Sequence, residues 1–464
     1  MLLPLTSYKR KGNRGQALFN CFTEPASASS AQPVWLIGSA GIDQWTTAAV
    51  GCRGAIRHQN EAYAVCGTDL WKIPSAGVAV IVGKITGTGR VSMDSLGDEL
   101  FILSDGVGFV YQGASVAVVT DPAFADEFPI DSTEIDGSII CLSADSNKFF
   151  KSNAEDATAY DADEFDFASK YSDKSVGIIG AHNMLIIGCQ ESMEFWFYSG
   201  QSPFPYARAD NGVIDIGLAA RDSLSKDENG AYFLANDDTV RFVQAGSISA
   251  QRISHHGVQE AIAGYATKSD AWAFHTAQEG NNFYHLVFPT EGKCWAYNTQ
   301  TKLWSERGSA HRDFWNVSGH CRAYNTEIVF SRDGNKVGRL DPDIYTEYDY
   351  ELARSWTYAN VSAAGKNATH EELEIIMDTG WTPDLTQDPD LMLEISDDGG
   401  ETFRGPKLKT LGSSGEFNKR VSYTRLGSSK NRVYRASLTD NCKLMVRDTQ
   451  LMATGVALPA RRAA

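Results

Sequence analysis

Four groups of residues in this chain could carry chemistry. Ser396-Asp397-Asp398-Gly399-Gly400-Glu401-Thr402-Phe403 fits the pattern Ser-x-Asp-x-Gly-x-Thr-aromatic of an Asp-box turn. In such a turn Asp398 is expected to accept backbone N–H bonds, Gly400 to take a positive φ and Phe403 to tuck beneath, with Ser396 and Thr402 completing the motif. His255-His256-Gly257 offers two imidazoles, the usual side chain for a metal ligand or a general base near neutral pH. Adjacent residues of a strand point to opposite faces, so one ion would not readily take both, and a turn pair is expected. Residues 155–166, EDATAYDADEFD, concentrate carboxylates that could hold calcium. They lack the Gly and the closing Glu of an EF-hand loop, which leaves a solvated loop between repeats as the expectation. The eight cysteines are Cys21, Cys52, Cys66, Cys141, Cys189, Cys294, Cys321 and Cys442. They form no Cys-x-x-Cys pair and have no His at zinc-finger spacing, so they are expected to stay reduced and pack as small hydrophobes.

None of these groups adds up to an enzyme. Sialidases carry several Asp-boxes, whereas one is visible here, and no arrangement singles out an arginine trio with a Tyr and Glu nucleophile pair. A phosphate loop of Walker type, a Gly-x-Ser-x-Gly elbow and a His-Glu-x-x-His helix are all missing from the sequence. The expectation is therefore no catalytic residue, no cofactor and no metal. A carbohydrate-binding or sialidase-like protein acting on host surface glycans is the alternative.

Charge and hydropathy narrow the classes further. The formal net charge is −16, from 58 acidic against 42 basic side chains. Binding to nucleic acid by counterion release needs clustered Lys and Arg, so this balance speaks against it. No run reaches the ~18 apolar residues that a membrane helix requires, and no membrane span is expected. The opening MLLPLTSYKRKGNRG puts a short apolar stretch before its basic residues, the reverse of a secretory signal, which predicts synthesis in the cytoplasm.

The elements that must position any site are read from a phrase that recurs seven times between Ala62 and Leu340. Each copy is an apolar run, a turn rich in Gly, Asp, Asn or Ser, and a second run rich in aromatics. The copies read AYAVCGTDLWKI, ELFILSDGVGFVYQG, SIICLSADSNKFFKS, NMLIIGCQESMEFWFYSG, GAYFLANDDTVRFVQAG, NFYHLVFPTEGKCWAYNTQTKLW and EIVFSRDGNKVGRLD. Their starts lie roughly 37 to 52 residues apart, the period of a four-stranded propeller blade. The fold class is thus all-β, a propeller of about seven blades, or six if the first copy or the longer Asn282 copy is shared between blades. Trp71, Phe109, Phe149, Trp196, Phe242, Trp295 and Trp304 are expected between blades. The one helix signal is VQEAIAGYA after Gly257.

At 464 residues the chain exceeds one compact core. Residues 1–45 read as an N-terminal arm or edge segment, with a small-residue stretch PASASSAQP, and 46–341 as the propeller. Residues 342–370 read as an acidic, aromatic linker without alternation. Residues 371–464 alternate apolar and polar side chains, as half-buried antiparallel strands do, and are expected to form a β-sandwich-like domain holding the Asp-box turn.

Two stretches add a resemblance. Residues 16–24, QALFNCFTE with Asn20, followed by Gly38-Ser39-Ala40-Gly41-Ile42 and by Cys52-Arg53-Gly54, resemble the opening of the tail-hub proteins of short-tailed bacteriophages. This is the nozzle or packaged-DNA-stabilisation family. Arg425-Leu426-Gly427-Ser428-Ser429-Lys430-Asn431-Arg432-Val433-Tyr434-Arg435 resembles that family's Arg-x-Gly-x-x-x-x-Arg-Val-aromatic ending, and residues 216–258 are similar to its middle. Ala17-Leu18 and Ser39-Ala40 depart from the family pattern and bear on local turn geometry. The resemblance implies a virion protein of the tail that assembles as a homo-oligomeric ring, commonly a hexamer, below the portal and its adaptor ring. It would extend the DNA channel, retain packaged DNA and anchor a tail needle and tail fibres or spikes, DNA passing without specific binding.

Overall fold

The computed structural model describes residues 3–8, 15–26, 33–144, 146–362, 365–383 and 388–454. Most of the PASASSAQP stretch lies outside them. Each copy of the repeated phrase is the middle hairpin of a four-stranded antiparallel sheet, and there are seven such sheets. The blades cover 52–84, 92–118, 129–167, 175–214, 225–252, 272–307 and 319–341, the last completed from elsewhere in the chain. Middle strands are apolar on both faces because a neighbouring blade covers each face. Glu99–Ser104 and Ser138–Ser143, for example, are buried at every position.

Seven separate apolar clusters fill the seven gaps between consecutive blades. Between the third and fourth blades Phe149 meets Trp196 edge to face, with ring centroids 4.9 Å apart. Between the seventh and first, Cys321, Ala323, Ile328 and Phe330 pack against Cys52, Ala62 and Ala64. That last contact makes the array a closed ring, and the count is seven, not six.

The ring is latched by the start of the chain. Gly41–Thr47 is the outer strand of the seventh blade, antiparallel to Lys336–Asp341 with Leu340 opposite Ile42. The division expected between residues 45 and 46 falls inside this strand. Its burial pattern carries little alternation, so it does not stand out in the sequence.

The sixth blade does not end at its outer strand. Ala17–Phe19 pairs in parallel with Leu303–Arg307 and antiparallel with Arg354–Thr357. From there the same sheet continues through Asn431–Leu438 and Asp390–Ser396 to Arg404–Thr410. A second sheet, in the order Cys21–Pro25, Val34–Gly38, Met445–Thr454, Ala368–Met377, Val421–Ser429, packs against its far half. The sandwich core between them includes Leu36, Trp356, Tyr358, Leu373, Leu393, Tyr434 and Val446. Residues 342–370, expected as a linker, therefore hold a central strand, Arg354–Thr357, and the strands Ala17–Phe19, Cys21–Pro25 and Val34–Gly38 belong to the two sandwich sheets. Burial on both faces removes the alternation by which such strands are recognised.

The acidic residues 155–166, expected as a loop, are mostly the outer strand of the third blade, Asp156–Phe167. An outer strand has solvent along its free edge, so its carboxylates stay hydrated while Ala157 and Tyr160 turn inward. The helix after Gly257 is present as His256–Ala263.

The latch can be tested by Ile42→Ala, which removes a side chain 1 % exposed in the gap between the sixth and seventh blades. Urea unfolding should show a loss of about 2–4 kcal/mol. A chain beginning at residue 48 should lose the cooperative transition altogether, because the last blade keeps three strands and two unpaired edges.

Candidate functional site

The Asp-box lies at the tip of the sandwich hairpin between Asp390–Ser396 and Arg404–Thr410. Asp398 accepts from the backbone N–H groups of Glu401 and Thr402, each at 3.0 Å, and from the hydroxyls of Ser396 and Thr402. Gly400 donates its N–H to Ser396 Oγ at 2.8 Å and has φ 96°, a conformation that favours glycine. These donors, the Ser396 and Thr402 hydroxyls first, hold the Asp398 carboxyl well below the usual carboxylate range. With every oxygen engaged inside the turn, Asp398 is not disposed as an acid or a nucleophile. Phe403 is half-buried, with the Arg435 guanidinium 4.0 Å above its ring.

The neighbouring Asp397 ties this turn to the C-terminal motif. Arg432 is fully buried and donates to both Asp397 oxygens, Nε at 2.7 Å and Nη2 at 3.2 Å, while its Nη1 donates to Leu426 O at 2.6 Å. Beside it His370 shares hydrogen bonds with Tyr434 Oη at 2.7 Å and Ser429 Oγ at 3.3 Å. Burial, then the charge of Arg432, pushes the His370 imidazole down to about 4. Val433 is buried in the sandwich. Arg425 and Gly427 take positive φ in an irregular stretch of Val421–Ser429, with open space around Gly427.

The N-terminal motif residues lie elsewhere. Asn20, buried with φ 51°, marks the point where the chain leaves one sheet for the other. Its side-chain NH₂ donates to Gly308 O and Ala353 O, both at 2.7 Å, and its Oδ1 accepts from Gly308 N at 3.1 Å. One amide thus joins the sixth blade to the start of the sandwich. Arg53 lies between the first two blades, donating to Gly89 O at 2.6 Å, Gly67 O at 3.3 Å, Ile85 O at 3.4 Å and the Ser104 hydroxyl. Gly54 is needed for the same approach, since a Cβ there would stand 2.6 Å from Val91 Cγ2. The two motif groups are therefore not brought together into one cleft.

Sequence reasoning missed a set of arginines at the propeller axis. Arg221, in the connection from the fourth to the fifth blade, donates to Ile130 O at 2.6 Å and across the ring to Arg90 O at 3.3 Å. Arg90, between the first and second blades, donates to Ser318 O of the seventh at 3.0 Å and lies 4.1 Å above the Trp272 ring of the sixth. Asp131 accepts from Ser92 Oγ and Ile178 N nearby, and burial pushes its carboxyl up to about 6. These links span the central opening, so duplex DNA cannot thread a single propeller. No spacing in the sequence marks them, because each side chain acts on backbone carbonyls of distant blades.

His255 and His256 do not converge either. His255 caps the helix, its Nδ1 accepting from Gly257 N at 3.2 Å and Val258 N at 3.4 Å, while His256 is exposed. All eight cysteines are buried free thiols. Among the described residues no group of three or more His, Cys, Asp or Glu side chains is placed to hold a metal ion. No helix among them is long and apolar enough to cross a membrane.

Residues 8–345 match the family model described as bacteriophage P22 Gp10, beta-propeller, and residues 355–454 match that described as bacteriophage P22 Gp10, beta-sandwich. The chain belongs to the bacteriophage P22 Gp10 family. It is a structural protein of the phage tail, the family being that of tail-hub and DNA-stabilisation proteins. No curated protein matches the sequence at a significant level. Among solved structures, the extracellular domain of the putative one-component system BT4673 from B. thetaiotaomicron is similar at TM-score 0.47 and 10 % identity. The match covers 93 % of this chain and 62 % of that one. PorZ of Porphyromonas gingivalis is similar at TM-score 0.40 and 10 % identity, covering 66 % and 39 % respectively. At these scores the likeness bears on neither the fold nor the function of the Gp10-family chain.

Arg432→Ala leaves Asp397 paired with Arg404 alone, frees the Leu426 carbonyl and empties a fully buried position, so the sandwich should lose about 2–4 kcal/mol in chemical denaturation. The His370 effect has a definite sign. An imidazole at about 4 in the folded state and about 6.5 in the unfolded one binds its proton preferentially on unfolding, so stability is lost as pH falls from about 6.5 to about 4. His370→Phe should remove up to about 3 kcal/mol of that acid-dependent loss, read as a flatter plot of Tm against pH than wild type gives.

Proposed function

We propose that this Gp10-family protein is the tail hub of a short-tailed phage, a homo-oligomeric ring that attaches below the portal and adaptor rings. There it prolongs the DNA channel, holds packaged DNA in place and anchors the tail needle and tail fibres or spikes. The observation that carries this reading is the match of both domains, in order, to one tail-protein family over nearly the whole chain. Six copies is the number the family resemblance implies.

The physical features support a conduit between copies. Arg90 and Arg221 bridge the axis of each propeller, so a channel for duplex must be bounded by several chains. A net charge of −16 supplies no general attraction for phosphates, which suits a wall past which DNA must move. The domains are tied by a continuous sheet as well as by Asn20, giving a subunit able to bear load.

Glycan binding is the second reading, favoured by one observation. Trp381 and Phe417 are 52 % and 54 % exposed, and their rings lie 5.2 Å apart. They line a groove of about 620 Å³ together with Glu374, Asp378, Arg420 and Arg447.

The hub reading is tested by deleting the gene, purifying filled heads and measuring the DNA they keep. Heads are expected to package normally and then lose their DNA, while the isolated protein shows negligible affinity for duplex DNA at physiological salt. Full retention with normal tails would overturn the reading. Saturable glycan binding abolished by Trp381→Ala would establish the second.

A further inference from the structure

Among the sheet edges without a partner in the described residues, two carry opposite charge. In the sixth blade the outer edge is covered by Ala17–Phe19, and in the seventh Glu347 pairs with Ile42 of the outer strand. The outer strands of the first five blades pair with no further strand among the described residues. Asp156–Phe167 of the third blade, at 12 residues, is the longest of these. Residues 155–166 hold Glu155, Asp156, Asp161, Asp163, Glu164 and Asp166 and no Lys or Arg. Lys151 takes up Glu164 at 2.5 Å, but Asp161 and Asp163 are exposed and have no ion-pair partner among the described residues. They sit where the ladder is interrupted, between the pair Phe150 and Phe165 and the pair Ser152 and Tyr160.

The other edge ends the long sheet that begins in the sixth blade. Arg404–Thr410 is its last strand, exposed along most of its length. Lys407 donates only to the carbonyls of Thr424 and Arg425, so its charge is not neutralised, and Lys409 has no ion-pair partner among the described residues. From Arg404 to Arg432 the chain has eight Lys and Arg against the single acid Glu416, in a protein whose net charge is −16. Each edge also carries an exposed apolar side chain, Leu408 at 59 % and Phe167 at 41 %.

Position completes the argument. The basic edge projects from the sixth blade, and the acidic edge belongs to the third, three blades away one way round the ring and four the other. The two edges thus belong to different parts of the subunit, one to the sandwich sheet and one to the propeller. A contact between two different patches is head-to-tail, and repeating it closes a ring when the rotation allows. Free strand edges supply unpaired backbone groups, and facing Lys and Asp pairs set the partner and register.

We propose that the acidic edge Asp156–Phe167 of one copy docks against the basic edge Arg404–Thr410 of a second copy, and that this contact builds the ring. The inference rests on the hub reading above, and names its interface.

The test uses the full chain in sedimentation velocity over a range of concentration. Wild type should assemble, with a midpoint that rises as salt is added. Asp161→Lys with Asp163→Lys, or Lys407→Glu with Lys409→Glu, should each raise that midpoint at least tenfold, and combining all four changes should restore assembly. Because the native cysteines are buried, Asp163→Cys with Lys409→Cys should yield disulfide-linked oligomers under mild oxidation, a readout that also serves if a charge-reversed chain fails to fold. Rings that form from both charge-reversed chains at the wild-type midpoint, without cross-linking, would overturn the interface and leave the ring. A wild-type chain that stays monomeric throughout would overturn both. Salt-sensitive binding of duplex DNA that is lost in the Lys407→Glu, Lys409→Glu chain, with assembly unchanged, would make the basic edge a polyanion site and overturn the proposal.

Discussion

A four-stranded antiparallel sheet with two apolar faces is stable only when both faces are covered, and in this chain that requirement is met by stacking blades until the last meets the first. The ring then depends on one interaction, the pairing of Gly41–Thr47 with Lys336–Asp341. It joins residues nearly 300 positions apart and buries Ile42 beside Val329, Trp272 and Tyr348. Close approach is part of the fit, since a Cβ at Gly338 would overlap Ile42. Had the blade been closed by a strand from its own C-terminal side, the N-terminus would be free to leave; here it is committed to both domains before the first blade begins.

That commitment explains how the two domains are joined. Residues 17–19 extend the sixth blade toward the sandwich, Cys21–Pro25 and Val34–Gly38 pair in the second sandwich sheet, and residues 41–47 return to latch the ring. Phe22 and Ile37 of the hairpin pack on Phe283 and Ala296 of the sixth blade, so the seam is apolar as well as hydrogen-bonded. A seam of sheet resists sliding because many backbone bonds must break together.

Buried arginines recur at the joints. Arg354 donates to the carbonyls of Cys442 and Asp440, both at 2.6 Å, and Arg307 donates to Ala40 O at 3.1 Å while lying 4.6 Å from the Trp315 ring. A guanidinium has five donors in a fixed plane, so it can satisfy several loop carbonyls that no strand reaches. Burial pulls the pKa of Arg307 and Arg354 down, yet both start so far above neutrality that they stay charged. The motif residues Arg53 and Arg432 likewise satisfy backbone carbonyls at joints, Gly89 and Leu426 among them.

The sequence by itself determined the all-β class, the repeat and its blades, and the turn chemistry of Ser396 to Thr402, because each depends on neighbours within a few residues. The middle hairpins were legible since burial on both faces makes them apolar throughout, and the Asp-box since its hydrogen bonds close over Ser396 to Thr402. Only the tertiary structure decided that Gly41–Thr47 belongs to the seventh blade, that residues 342–370 contain a central strand and that residues 155–166 are an edge. It alone placed Arg90 and Arg221 across the axis and made an acidic strand of the propeller and a basic strand of the sandwich into free sheet edges. Apart from the edge at residues 155–166, which depends on no further strand arriving to cover it, each of these depends on partners far away in the chain or on charge spread over separate strands. Local pattern cannot encode such pairings, because what selects them is the closure of the whole ring.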